Sequence, residues 1–234
     1  MTLNYGSPGA FITLWEDFLL DNVSETGALS NWLETATSSG AGTIRDLHGG
    51  WWRMTVGAND DDAFTLGAEL VWEVDEGFPL VWETRVQVTD VSDNSSFLGM
   101  GDANNDTQPF ENQSGTQETD MTDGFGFLIE GAEDETWDAV GVQNGTLNTA
   151  VPQTNGADAA DGVIQVLRME ANPNDSGTVQ YFVGGADAMG GGIATSIQTN
   201  WFRSGILYTP LAAIDARNAA NDTDMDYIFV QAPR

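Results

Sequence analysis

No stretch of this chain holds an apolar residue at every third or fourth position long enough to build an amphipathic helix. Short apolar or alternating runs are instead cut apart by clusters of Gly, Asn, Asp and Pro. That punctuation predicts an all-β fold, because a period of two suits strands and those four residues supply the turns between them. The runs Phe11–Phe18, Trp51–Val56, Ala63–Leu66, Leu70–Val74, Leu80–Thr89 and Phe97–Met100 read as strands. So do Gly124–Glu130, Trp137–Gln143, Val163–Ala171, Thr178–Val183, Tyr208–Asp215 and Met225–Gln231. One brief helix is expected at Ile197–Ser204, where Trp201 and Phe202 would pack down. Asn144-Gly145 suits a type I′ hairpin.

About a dozen strands with one apolar face each should close into two stacked antiparallel layers. Residues 1–234 fit a single domain of that kind. Hydrophobic residues make up 41 % of the chain, eight tryptophans among them, enough for a core without staples. Cysteine is absent, which excludes disulfides and thiolate metal sites. Met1 to Pro8 carry no basic start followed by an apolar stretch, so synthesis in the cytoplasm is expected. Gly101–Asp123 is the longest stretch without a strand signal, acidic and anchored only by Pro109 and Phe110. A loop of that length is expected to contact a partner.

Lysine is also absent. Seven arginines face 36 aspartates and glutamates, for a formal charge of −29. Such a surface will not track a phosphate backbone and is repelled by anionic membranes, which argues against nucleic-acid and membrane partners. Its self-repulsion is screened at molar salt, where the Debye length falls to about 3 Å. The composition therefore points to a protein made for brine, with an acidic surface protein of a marine microbe as the alternative. Seven Asn-x-Ser/Thr sequences, at Asn22, Asn94, Asn105, Asn112, Asn144, Asn174 and Asn221, read either as glycosylation acceptors or as turn-forming clusters.

Several segments, in order, resemble the concanavalin A-like (laminin G-like) jelly roll. They are Gly50-Trp51-Trp52-Arg53-Met54, Trp82-Glu83-Thr84-Arg85-Val86 through Asp90, and Leu98-Gly99-Met100-Gly101-Asp102-Ala103. Asp123-Gly124-Phe125-Gly126-Phe127-Leu128, Trp137-Asp138-Ala139-Val140 and Val166-Leu167-Arg168-Met169-Glu170 continue the series. Val179 to Gly185 and the closing strand Met225 to Gln231 complete it. The resemblance implies a two-layer antiparallel jelly-roll sandwich. Its flavour is similar to structural proteins of tailed viruses, which implies a non-enzymatic virion protein on the outer surface of the particle. A capsid decoration or turret protein of a halophilic virus is expected, bound to the major capsid protein or other virion proteins as a homo-oligomer, a trimer by preference. Residues 1–10 would then be a docking arm, or else a frayed terminus. The alternative is a lectin-like receptor-binding spike or fibre module that touches a host surface glycan.

Alternation places Glu83 and Arg85 on one side of their strand, and Arg168 and Glu170 on one side of theirs. All four are expected on one exposed, concave face in ion pairs, because charges at mid-strand are costly unless exposed or paired. The alternative is four separate solvent-facing groups of little energetic weight. Retaining glycosidases need two carboxyl groups about 5–5.5 Å apart. Jelly-roll glycanases resemble one another in Glu-x-Asp-x-x-Glu, but Glu73-Val74-Asp75-Glu76-Gly77-Phe78 lacks the last acid, so no catalytic residue is expected. The single histidine, His48, reads as a turn residue. Asp102, Asn104 and Asp106 have one-three-five spacing for a structural Ca2+ or Mg2+, without the glycine and glutamate of a full calcium loop. Sugar binding needs an exposed aromatic. Trp51, Trp52, Trp72, Trp82 and Trp137 lie in strand patterns and read as core, which leaves Trp32 and Trp201 as the expected glycan platform.

Overall fold

The computed structural model describes residues 11–16, 18, 32–45, 50–59, 62–68, 72–74, 79–103, 110–113, 116–131, 134–148, 158–172, 177–185, 194–198, 202–203, 205–216 and 219–233. The strands are β1 (Phe11–Glu16), β2 (Trp32–Thr37), β3 (Ala41–Arg45), β4 (Trp51–Val56), β5 (Ala63–Ala68) and β6 (Trp72–Glu73). They continue with β7 (Leu80–Val88), β8 (Asn94–Gly101), β9 (Glu111–Gln113), β10 (Thr116–Glu118), β11 (Gly124–Glu130) and β12 (Asp134–Gln143). The last six are β13 (Thr146–Asn148), β14 (Ile164–Asn172), β15 (Thr178–Gly185), β16 (Ala194–Gln198), β17 (Leu207–Ala216) and β18 (Asn221–Pro233).

They form two eight-stranded antiparallel sheets and one small hairpin. Sheet 1 runs β16-β15-β14-β7-β18-β4-β3, with β1 also paired to β18. Sheet 2 runs β13-β12-β11-β8-β17-β5-β2, with β6 also paired to β17. The fold is the expected all-β two-layer sandwich. Period-two alternation decides what each strand buries. In β7, Trp82, Val86 and Val88 point into the core between the sheets, while Glu83, Arg85 and Gln87 point away from it. In β18, Met225, Ile228 and Val230 face the same core. Trp52, Trp82, Trp137, Tyr181 and Tyr208 are its largest fully buried side chains, and at about 25 cal/mol per Å² of buried apolar surface such side chains dominate the stabilisation.

Three expectations are corrected. Ile197 and Gln198 lie in β16 and pair with Gln180 and Val179, so the expected helix at Ile197–Ser204 is absent at these positions. The ladder on the edge of β15 takes up their backbone groups. Gly101–Asp123 is not structureless: β9 pairs with β10, and Phe110 and Met121 are buried on the outer face of sheet 2. There they join Phe97, Leu128, Val140 and Leu211 in a second apolar cluster. The Phe97 and Phe110 rings lie 4.9 Å apart. Trp32, expected at the surface, is 7 % exposed and packs against Phe18 in the main core.

Turn chemistry is as read. Asn144 and Gly145 have φ of 53° and 68°, the left-handed pair a type I′ turn needs, and they join β12 to β13 in register.

Candidate functional site

The outer face of sheet 1 gathers four of the five described arginines. Arg53 on β4 stands opposite Asp224 on β18 and forks onto it, Nε to Oδ1 at 2.7 Å and Nη2 to Oδ2 at 2.9 Å. Its Nη1 reaches Asp222 at 2.7 Å. Arg45 on β3 also binds Asp224, whose side chain is nearly inaccessible. Arg85 on β7 pairs with Asp226 and lies 5.5 Å from the centre of the Trp51 ring. Arg168 on β14 stands opposite Glu83 and bridges two acids, with Nη1 3.1 Å from Glu83 and Nη2 2.7 Å from Glu170. Tyr227 donates its hydroxyl to the other Glu83 oxygen at 2.7 Å. Bidentate and shared pairs of this kind are geometrically rigid, because the guanidinium fork matches a carboxylate.

The electrostatics follow from burial and these contacts. Burial lowers the Arg168 pKa, but hydrogen bonds to Glu170 and Glu83 more than offset that, and the net shift is upward. Burial, then the bond to Glu83, raises the Tyr227 phenol well above its ordinary value. Glu83 is 5 % exposed and both its oxygens are engaged. Asp224 is engaged on both oxygens as well.

Aromatic rings occupy the same face. Trp15 on β1 stacks on Tyr227 at 4.8 Å with planes 13° apart, and meets Phe229 edge-on at 5.8 Å. Trp15 is 38 % exposed, whereas Trp32, Trp51, Trp52, Trp72, Trp82 and Trp137 are all buried. An indole backed by a phenol and part-exposed to solvent is a stacking platform.

The sequence-derived candidates therefore divide. Glu83, Arg168 and Glu170 come together on this face; Arg85 shares it but pairs with Asp226. Trp32 is core, and Trp201 lies outside the described residues. Asp102 is exposed at the end of β8, while Asn104, Asp106, His48 and the arm at residues 1–10 lie outside them. Among the described residues no three His, Cys, Asp or Glu side chains are grouped to hold a metal ion. Glu73 is exposed on the short β6, and Asp75 is not among the described residues. Two of the sequon asparagines are buried and bonded, Asn94 to Thr223 and Asn221 to the Asp90 carbonyl. Asn144 is exposed at its turn.

Sequence reasoning missed Trp15, Tyr227 and the Asp222–Asp226 series as parts of one face. In the sequence, Asp222, Asp224 and Asp226 alternate as oxygen ligands of a divalent cation would, but their partners are Arg53, Arg45 and Arg85. It also missed a loop-end cluster in which buried Asp123 binds Arg203 at 2.7 Å and the Asn144 amide at 3.2 Å.

No family model matches the chain, and no curated protein does. Solved structures do. Arcelin-5, a lectin-like defense protein from Phaseolus vulgaris, superposes with a TM-score of 0.61 at 9 % identity, over 96 % of this chain and 99 % of that one. The carbohydrate recognition domain of Emp46p in its potassium-bound form gives 0.58 at 11 %, over 91 % and 94 %. A β-glucanase from Bacillus licheniformis gives 0.55 at 13 %, over 93 % and 97 %. The sandwich is thus a concanavalin A-like jelly roll, a fold shared by lectins and a glucanase.

Proposed function

We propose that this protein is a non-catalytic glycan-binding module whose ligand surface is the outer face of sheet 1. The observation that carries the reading is Trp15, an exposed indole held flat on Tyr227 beside a field of fixed arginine donors and carboxylate acceptors. Sugars are bound by that combination, a ring for their C–H face and rigid polar groups for their hydroxyls. The lectin and carbohydrate-recognition domains among the structural neighbours support it. The engagement of Glu83 and Asp224 by arginines supports binding over hydrolysis, because both acids are already tied into ion pairs rather than set as a free facing pair.

The acidic, lysine-free coat suits a receptor-binding spike or fibre module of a virus from brine, acting at a glycosylated host surface. A shell decoration protein, bound to the capsid as a trimer, makes the opposite forecast in the same experiment. A glycan array probed in molar salt, alongside purified shells, separates the two. Sugar binding lost in Trp15→Ala supports the module. Affinity for shells alone supports decoration. Should a cation support the fold, chelator at fixed high salt would lower the melting temperature; the reading requires no such change.

A further inference from the structure

We infer that the ligand of this face is an uncharged oligosaccharide lying across the strands, an inference that rests on the glycan reading above. The polar field is a row. It begins with Arg45 on β3, crosses Arg53 on β4 and the aspartates of β18, passes Glu83 and Arg85 on β7, and ends with Arg168 and Glu170 on β14. These are five neighbouring strands, and four inter-strand steps of about 4.8 Å make a row of about 19 Å. That is the reach of a chain of sugars rather than of one. Trp15 stands beside β18, against the middle of the row.

Charge selects the ligand class. Four arginines face five carboxylates, Asp222, Asp224, Asp226, Glu83 and Glu170, and every one of the nine is in an ion pair. An anionic glycan must set its charge beside the carboxylate already bound to each arginine, and it approaches a chain of charge −29. A polycation would be attracted by that coat everywhere and has no need of an indole. Sugar hydroxyls donate and accept, so an uncharged chain can use the N–H groups and carboxylate oxygens without separating any pair.

The test is calorimetric titration of the intact protein in molar salt with neutral oligosaccharides from mono- to hexasaccharide, and with uronic-acid and sulfated oligosaccharides of the same lengths. Affinity should rise with length up to the span of the row, and acidic chains should bind about tenfold more weakly or worse. Trp15→Ala should lose about tenfold in affinity for neutral chains, and Trp15→Phe, which keeps a ring, should recover most of it. Leu207→Ser, at an exposed position of sheet 2, should leave affinity unchanged, and equal melting curves certify the folds. Glu170→Gln should narrow the gap between acidic and neutral chains about threefold. Trp15-dependent binding that favours acidic chains, or that is as strong for a monosaccharide, overturns the inference and leaves the glycan reading standing. Absence of Trp15-dependent binding to any sugar overturns both.

Discussion

The two sheets turn their backs to solvent in opposite ways. Sheet 2 covers its outer face with the chain itself: Phe110 and Met121, from the segment around β9 and β10, lie on Phe97, Leu128 and Leu211. The pairing of Gly99 with Gly126 makes room for this, since a Cβ on Gly126 would sit 2.5 Å from the Phe97 ring. Among the described residues, the outer face of sheet 1 carries arginine–carboxylate pairs and a part-exposed indole instead. One face is a second small core; the other, among the described residues, is polar and tied by ion pairs. A sandwich needs only its inner faces to fold, so an outer face is free to carry something else.

The largest effect should come from the closed face. Phe97→Ala removes a fully buried ring and should cost about 3–5 kcal/mol, read by chemical denaturation, with no change on adding salt. If the variant is as stable as the parent, the apolar cover is not a core.

On the open face, Arg168→Ala strands Glu83 and should cost about 2–3 kcal/mol, less than for a fully buried pair because Arg168 is 20 % exposed. Pairing it with Glu83→Gln should restore most of the loss. Raising salt to molar strength should shrink the difference between Arg168→Ala and parent, since part of the pair is screened. An unchanged difference would show that packing, not charge, holds this face.

Acid should act through Asp62, which belongs to neither face and ties the β2–β3 turn to the β4–β5 turn. The Ser39 hydroxyl, opposed by burial and aided by Asn59, holds its carboxyl below the usual range. Its folded pKa lies below the unfolded value of about 3.9, so its contribution is complete above that pH and is lost as pH falls through the folded value. Asp62→Asn should flatten the acid limb of a melting-temperature profile; an unaltered limb would rule this contact out.

The smallest effect on stability and the largest on binding should be Trp15→Ala. The lost stack is worth about 0.5–1.5 kcal/mol, at the lower end here because the ring is part-exposed.

Much of this contrast was hidden in the sequence for definable reasons. Strands β4 and β11 are legible to the residue, because each apolar-rich run is ended by a glycine, Gly57 and Gly131. β2 is not: Glu34, Thr35 and Thr37 give an edge strand little apolar alternation, and its one indole, Trp32, turns inward. The meeting of Glu83 with Arg168 follows from strand parity. The choice of Asp226 by Arg85 does not, because the register between β18 and β7 shifts between Met225 and Tyr227, and a one-residue shift cannot be read from alternation. Trp15 is exposed only because β1 adds to the outer half of β18, a long-range pairing of Trp15 with Phe229 across the whole chain.

Residue-resolved tryptophan oxidation, with and without a saturating neutral oligosaccharide, addresses the account most directly. Trp15 should react ahead of Trp32, Trp51, Trp52, Trp72, Trp82 and Trp137 in the free protein and become protected by the sugar. A Trp15 that is inert when free, or equally reactive when the sugar is bound, would contradict the assignment of sheet 1 as the binding face.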